Sequence, residues 1–386
     1  MKKCSVCLSS KLEMVWDLPS LPLTGIFVAE STNPGFKNEY DQKLQFCTNC
    51  GHGELENKID PLFLYRDTYT HRTSESAISA QGNIFLQNFV SEIIANKEIK
   101  QVLEIGCNDL YLLENIDFGQ AKLSGIDPIW NDGAELKGSV NVLGGFAESA
   151  DYSLIVSEPI DLVISAHTFE HIIEPRIALE KLAPYLAKDA TFIIEVPSAE
   201  RMLDQVRLDQ VFSQHVNYYS VSSLTKLFSD FYFGLQSIKY NFGYWGGTQL
   251  LEFKLGESSK IDFKYPEELL VQYKKSVMLF RKSIEVSVAQ LGNVVGEIVA
   301  YGAAQMLPIV AYHFGDSFKE ISVILDDNLN RQGKFFPNLE QKIISPSKKN
   351  LSEINVLVTA LDSARPITKR LIELAPRSII TPLGII

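Results

Sequence analysis

The apolar positions of this 386-residue chain fall into short runs that end in polar residues, each followed by a stretch with helical spacing. The clearest is Val102-Leu103-Glu104-Ile105-Gly106, an apolar run that closes on an acid and a glycine. Residues 110–116 then carry an amphipathic pattern, so strand, tight turn and helix are predicted in succession. Residues 121–127 form a second run that ends in Asp127, about twenty residues on, the usual spacing in a nucleotide-binding α/β sheet. Further strands are predicted at 161–166 and 190–197, and a last one at 244–253 is entered through two glycines. Residues 77–97 place Ile78, Ile84, Phe85, Phe89, Val90 and Ile93 at helical spacing, a packing helix ahead of the first strand. From residue 259 a charged helical region runs to Leu291, and Glu297–Ala304 then repeats the strand–glycine–helix pattern. Strands ending in polar residues follow at 323–328 and 356–360. This alternation is that of an α/β protein with two sheets.

Three domains are expected: 1–62, 63–258 and 259–386. The composition, 46% hydrophobic and 22% charged, is that of an ordinary globular protein. A net charge of −11 argues against a general nucleic-acid binder, which needs a basic surface. No apolar run reaches the roughly 18 residues of a membrane span, and the polar sequence after Met1-Lys2-Lys3-Cys4 does not resemble a secretory leader. The chain is expected to be cytoplasmic.

Four of the five cysteines form two Cys-x-x-Cys pairs, Cys4/Cys7 and Cys47/Cys50. Two such knuckles a few dozen residues apart make a tetrahedral thiolate cage, so a structural zinc is expected. Two disulfides, or thioredoxin-like redox pairs, are the alternatives; a reducing compartment disfavours the first. Gly106 lets the backbone approach a ligand, and the following helix should direct free amides at it. Glu104, Gly106 and Asn108 are therefore candidate cofactor contacts, with Asp127 for ribose hydroxyls and Gly144-Gly145-Phe146-Ala147, chiefly Phe146 and Ala147, for a base. The nicotinamide fingerprint G-x-G-x-x-G is absent. His167-Thr168-Phe169-Glu170-His171 sits at a strand's carboxyl end, where open sheets bind ligands, with His167 assigned to the cofactor. His171 reads as a substrate or cofactor contact, or as a satisfied structural histidine. Residues 65–74, rich in aromatic and hydroxyl groups and including Tyr69, either line a ligand site or only link domains. His215, among amides and beside Tyr218 and Tyr219, belongs to a functional loop or to a capping loop.

The Glu104-Ile105-Gly106 opening resembles the first motif of class I S-adenosylmethionine (SAM) methyltransferases. Cys47-Thr48-Asn49-Cys50-Gly51, Glu104–Asp109, Tyr301-Gly302-Ala303 and Asp327–Lys334 together resemble the sugar C-methyltransferases that act on deoxysugar nucleotides. That resemblance covers nearly the whole chain. It implies a class I Rossmann-like sheet flanked by an N-terminal zinc module and a C-terminal Rossmann-like, substrate-binding domain. The implied cofactors are SAM and structural zinc, and the implied acceptor is a small molecule, a sugar nucleotide. The resemblance makes His215 the base that removes a proton beside a keto group, with His171 and Tyr69 as catalytic partners. Tyr219, Tyr301, Gly302 and Asn328 become substrate contacts. Phe212 and Gln214 stand where the family has tyrosine and glutamate, Leu110 where its turn has glycine, and a basic residue usual near Met306 is missing. Methylation of oxygen or nitrogen by the same architecture remains the alternative, with a zinc-containing binding protein as a third.

Overall fold

The computed structural model describes residues 2–31, 38–65, 72–74, 77–260 and 266–382. The chain divides into two compact units, one of residues 1–15, 44–205 and 215–272, the other of 16–43, 206–214 and 273–386.

The N-terminal strands are β1 (Leu12–Pro22), β2 (Glu39–Cys47) and the short β3 (Gly53–Leu55). The predicted first strand of the central sheet is β4 (Gln101–Ile105), buried at every position. After it come β5 (Lys122–Lys137), β6 (Val140–Gly144), β7 (Ile160–Ala166) and β8 (Leu186–Pro197). Then β9 (Asn217–Tyr218) lies outside this sheet and joins the N-terminal one, giving the order β1-β2-β3-β9. The strands β10 (Phe233–Asn241) and β11 (Thr248–Leu255) complete a seven-stranded sheet of order β10-β11-β8-β7-β4-β5-β6. β4 is parallel to β5 and β7, β7 is parallel to β8, and β11 runs antiparallel to both β8 and β10. One reversed strand inserted near the edge of an otherwise parallel sheet is the class I methyltransferase arrangement. β5 overruns its expected end at Asp127: its residues 132–137 fold back along β6 as a hairpin.

The helix expected at 77–97 is Ala77–Ile94. The helix expected after the glycine turn is Tyr111–Asn115, preceded by Leu110 in the left-handed conformation (φ 67°, ψ 11°) and ended by Ile116 in an extended one. Buried apolar residues pack on both faces of the sheet, with Leu103, Ile105, Val163 and Ile194 on one side and Val102, Leu162, Ile164 and Ile193 on the other. Alternate residues of one strand thus serve two cores, which is why these runs are apolar throughout.

In the other unit a long helix, Pro266–Gly292, ends within it and a five-stranded sheet follows. Its strands are β12 (Ile298–Tyr301), β13 (Ile321–Leu325), β14 (Ile343–Ile344), β15 (Asn355–Val358) and β16 (Ser378–Ile380). The order is β14-β13-β12-β15-β16 with every pairing parallel, the Rossmann-like sheet expected there. Among the described residues no helix is long and apolar enough to cross a membrane.

Candidate functional site

The carboxyl ends of β4, β5 and β7 open into one cavity, lined among others by Glu104, Gly106, Asn108, Asp127, Phe146, Ala147, His167 and His171. All seven candidate cofactor residues are thereby brought together with one of the candidate catalytic histidines. Gly106 has φ +80° and no room for a side chain, since a Cβ would come within 1.9 Å of Thr168 Oγ1. Close packing of the two strand ends demands this glycine independently of any ligand.

The amides of the turn are not free. Those of Gly106 and Cys107 both donate to the Ile126 carbonyl (2.8 and 3.1 Å), and that of Leu110 donates to the Cys107 carbonyl (2.8 Å). Asn108 donates to Asp127 Oδ2 (2.9 Å), and Asp109 to Asn108 Oδ1 (2.9 Å). The helix that follows, Tyr111–Asn115, begins at the cavity, which Tyr111 and Leu112 line.

What the turn offers is carboxylate. Glu104 is buried, and its Oε2 has no hydrogen-bond partner among the described residues. Burial, then the neighbouring Asp127 and Asp109, hold its pKa well above the usual range. Asp127 accepts the Asn108 and Ile129 amides on different oxygens (2.9 and 3.0 Å), leaving each oxygen a lone pair. Burial raises its pKa, with those amides and Arg72 working the other way. Trp130 donates to the Asn108 carbonyl (2.8 Å), and Ser74 fixes Asp109 through its amide and hydroxyl (2.9 and 2.6 Å). Thr73 donates to Asn108 Oδ1 (3.2 Å) and lines the cavity, so this end of the polar 65–74 stretch lies at the site. Tyr69 lies outside the described residues.

On the opposite wall His167, at φ +50°, places Nδ1 3.4 Å from Glu170 and Nε2 3.8 Å from Glu195. Burial would lower its pKa, yet Tyr244 and the two glutamates raise it well above the ordinary histidine value. Its ring meets Tyr244 edge-on at 4.9 Å, and Tyr244 fits because residue 82 is glycine, whose Cβ would lie 2.6 Å from that ring. Thr168, Glu170, Trp130 and Tyr244 were not singled out from sequence. Glu170, an acid between two histidines, and Glu195, an acid inside an apolar strand, were the available signals.

The catalytic candidates His171 and His215 meet edge-to-face with ring centroids 4.7 Å apart. His171 lies on the cavity wall; His215 is buried against it and also faces Trp245 at 5.6 Å. Glu170, His171 and His215 bring ligand atoms within 4.8 Å of one another. Burial first, then the nearby His171 and His167, push the His215 pKa well below the ordinary value, so its ring is neutral. Gln214 uses both ends of its amide on Thr24, accepting from Oγ1 (3.3 Å) and donating to the carbonyl (2.8 Å). Tyr219 is buried in the core with its ring 4.9 Å from His52, and does not line the cavity. In the five-stranded unit Tyr301, Gly302 and Asn328 gather at the carboxyl ends of β12 and β13. Tyr301 donates to Asp327 (2.8 Å), and the amides of Gly302 and Ala303 are already engaged by Leu325 and Asp326.

The four paired cysteines converge, with Cys4 and Cys50 Sγ atoms 3.7 Å apart and Cys7 and Cys47 3.5 Å apart, and none is in a disulfide. Four thiolates about 2.3 Å from one zinc would be separated by about 3.8 Å along each tetrahedral edge, so the set fits that ion. Asn49 donates to Cys7 Sγ (3.5 Å), Ser222 to the Cys50 carbonyl (3.0 Å) and Arg176 to the Val6 carbonyl (2.9 Å), fastening both knuckles.

Comparison with known proteins adds three matches along the chain. Residues 4–65 match a family model described as a zinc binding domain, 80–238 a methyltransferase domain, and 259–375 a C-methyltransferase C-terminal domain. The C-methyltransferase NovU of Streptomyces niveus is 24% identical over 368 residues, spanning 90% of this chain and 86% of that protein. Among solved structures, the N-methyltransferase NodS of Bradyrhizobium japonicum WM9 is 14% identical, with TM-score 0.35, over 46% of this chain and 98% of NodS. The plantazolicin methyltransferase BpumL is 16% identical, with TM-score 0.36, over 47% of this chain and 89% of BpumL.

Proposed function

We propose that the chain is a C-methyltransferase in which a zinc-binding module, a methyltransferase domain and a C-methyltransferase C-terminal domain follow one another, a reading supported by the three matches in that order and by the likeness to NovU. On that premise we propose that it moves the methyl group of SAM to a carbon beside the keto group of a nucleotide-bound deoxysugar. The observation that carries the choice of cofactor is the charge of the cavity floor. Glu104, Asp109 and Asp127 crowd together, Glu104 Oε2 and Asp109 Oδ1 have no hydrogen-bond partner among the described residues, and the amides of residues 106–110 are engaged. A dinucleotide would bring pyrophosphate to this turn and meet repulsion from the crowded carboxylates. SAM brings an ammonium and a sulfonium, which the carboxylates favour. Asp127 is assigned to the ribose hydroxyls, and Phe146 and Ala147 to the adenine.

SAM supplies an electrophilic methyl group. The chain's own part is to orient the acceptor and remove its proton. His215 is assigned as general base, since its buried imidazole is neutral and a ring nitrogen can take the proton from the carbon beside the ketone. His171 stands between His215 and the cavity and is assigned to orienting the acceptor. Tyr301, Gly302 and Asn328 are assigned to the nucleotide end, at strand ends where parallel sheets bind ligands. Cys4, Cys7, Cys47 and Cys50 are assigned as the ligands of a structural zinc. A second reading, methylation of oxygen or nitrogen, is favoured by one observation: Phe212 carries no hydroxyl and Gln214 is committed to Thr24.

The test uses SAM with a ¹³C-labelled methyl group and a panel of keto-deoxysugar nucleotides in deuterated water. A carbon-bound methyl signal, with exchange of the acidic C–H, is expected. His215→Ala and His215→Asn should lose about 10²–10⁴-fold in turnover. An oxygen-bound methyl, or near-normal turnover in both variants, would reject the carbon reading or the base assignment respectively.

A further inference from the structure

One buried amide joins the zinc module to the turn that carries the catalytic candidates. Asn217 stands on β9, which pairs with β3 of the N-terminal sheet, where it faces Glu54. Its amide nitrogen donates to the Phe169 carbonyl (3.1 Å) and the Ile172 carbonyl (2.6 Å), the residues that bracket Glu170 and His171. Its Oδ1 lies 3.1 Å from His52 Nε2 and 3.3 Å from Ser5 Oγ, and both can donate to it. Ser5 is between Cys4 and Cys7, and His52 is two residues past Cys50. The two donors and two acceptor sites of the amide are thus all used. No other neutral side chain of this size offers that pattern. The Leu55 amide donates to the Val216 carbonyl (2.9 Å), so the same pairing also fixes the residue after His215.

We infer that Asn217, held by Ser5 and His52 of the zinc module, is a positioning residue that sets the geometry of His171 against His215. The inference deepens the proposed function and rests on it for its effect on turnover. The physical content is that neither histidine is on a regular element that would hold it. His171 ends a single 3-10 turn, Phe169–His171, and His215 precedes a two-residue strand. Without the amide the Ile172 carbonyl loses its partner within the core, and the turn keeps only its own hydrogen bonds, from His171 to Thr168 and from Ile172 to Phe169, to orient it. The zinc, by ordering both cysteine knuckles, orders Ser5 and His52, and through Asn217 it reaches the reacting end of the cavity. The cofactor end, at Glu104 and Asp127, is built from β4 and β5 and does not use this link.

The experiment compares Asn217→Ser, Asn217→Asp, His52→Phe and His52→Gln with the full-length, zinc-loaded wild type. Three readouts are taken: zinc content, calorimetric Kd for S-adenosylhomocysteine, and histidine ring signals in a ¹⁵N-histidine-labelled sample. Turnover is measured with whichever acceptor the wild type methylates. Asn217→Ser and His52→Phe should keep one zinc and a Kd within about twofold, shift the His171 and His215 signals, and lower kcat by about 10–100-fold, the scale of a small misplacement. Asn217→Asp should be at least as impaired, because its carboxylate faces two carbonyls. His52→Gln retains a donor near the Nε2 position and should recover most of kcat. Unmoved signals in a folded, zinc-loaded Asn217→Ser protein would overturn the inference, as would equal losses in His52→Phe and His52→Gln. Moved signals with unchanged kcat would leave Asn217 as the positioner and instead count against the histidines' assigned roles.

Discussion

Replacing Asp127 by asparagine separates two duties of one carboxylate. In the free protein it accepts the Asn108 and Ile129 amides on different oxygens. An asparagine can accept only one of them and turns its own NH₂ toward the other. The loss of one hydrogen bond to a charged group is about 1.5–3 kcal/mol of stability, reduced by whatever relaxation the loop allows. Toward SAM, each oxygen of the wild-type carboxylate has one lone pair left for a ribose hydroxyl, whereas the amide keeps at most one. The same 1.5–3 kcal/mol then appears in binding as roughly a 10- to 150-fold weaker Kd. Thermal melting of the free variant reads the first loss, and calorimetry with SAM and S-adenosylhomocysteine reads the second. The two ligands share a ribose, so their affinities should fall by similar factors. A variant that melts lower yet binds both within twofold of wild type would make Asp127 a brace of the turn and nothing more. A drop confined to SAM would make its charge, not its hydrogen bonds, the useful property.

Other expectations concern metal, strain and protons. Metal analysis should find one zinc per chain, reduced with a lower melting temperature in Cys47→Ser; a second equivalent lost in His171→Ala would reassign Glu170, His171 and His215 as a metal site. Leu110→Gly relieves an αL residue, worth about 1–2 kcal/mol, but empties a buried site, which costs about 2–5 kcal/mol. A net loss is therefore expected by chemical denaturation, and a more stable variant would show that strain dominates. Because Glu104 holds its proton more tightly than usual in the free protein, binding a cationic ligand should release protons at mildly acidic pH. Calorimetry in buffers of different ionisation enthalpy should detect them, and buffer-independent heats would count against the carboxylate floor as a cation site. His313, stacked on Trp16 at 5.3 Å, has its pKa pushed down to about 3 by burial and then by Arg281. Its unfolded pKa is higher, so stability is lost as pH falls from about 6.5 toward 3; His313→Gln should flatten that slope, and an unchanged acid transition would refute the assignment.

The parts of this protein legible in its sequence are those fixed by near neighbours. The β4 run ending in Glu104 and Gly106, the β5 run reaching Asp127 and the two cysteine pairs each carry their signal within a few residues. The seven cofactor candidates could be collected because strand ends of one parallel sheet point to one side. The overrun of β5 into a hairpin had no such signal, nor did the left-handed conformation of Leu110, since backbone conformation there answers to packing. The polar links were hidden for a different reason. Asn217 meets His52 across 165 residues and Gln214 meets Thr24 across 190, and no periodicity encodes pairs that distant. Tyr219, expected as a substrate contact, follows β9, whose pairing with β3 carries it into the core.

The environment of His215 narrows the chemistry it can perform. Its ring neighbours are His171 and Trp245, at 4.7 and 5.6 Å, and burial lowers its pKa well below the ordinary value. That keeps it neutral, hence competent to accept a proton, across the physiological range. The same burial weakens it, because the imidazolium it must become is disfavoured by desolvation. A weak base removes a proton at useful rates only from an acceptor already acidified, or where the developing negative charge is stabilised in place. A C–H beside a ketone is no more acidic than a secondary hydroxyl, so it meets that demand only where the enolate oxygen is stabilised in place. The raised pKa of His167, a few residues from His171, puts a positive charge on the same wall. Without the hydroxyl and carboxylate that Phe212 and Gln214 lack, a C–H acceptor would rely on that charge and on the placement of His171, whereas a hydroxyl or amine acceptor would demand less of the same base, and the position of the labelled methyl group decides between them.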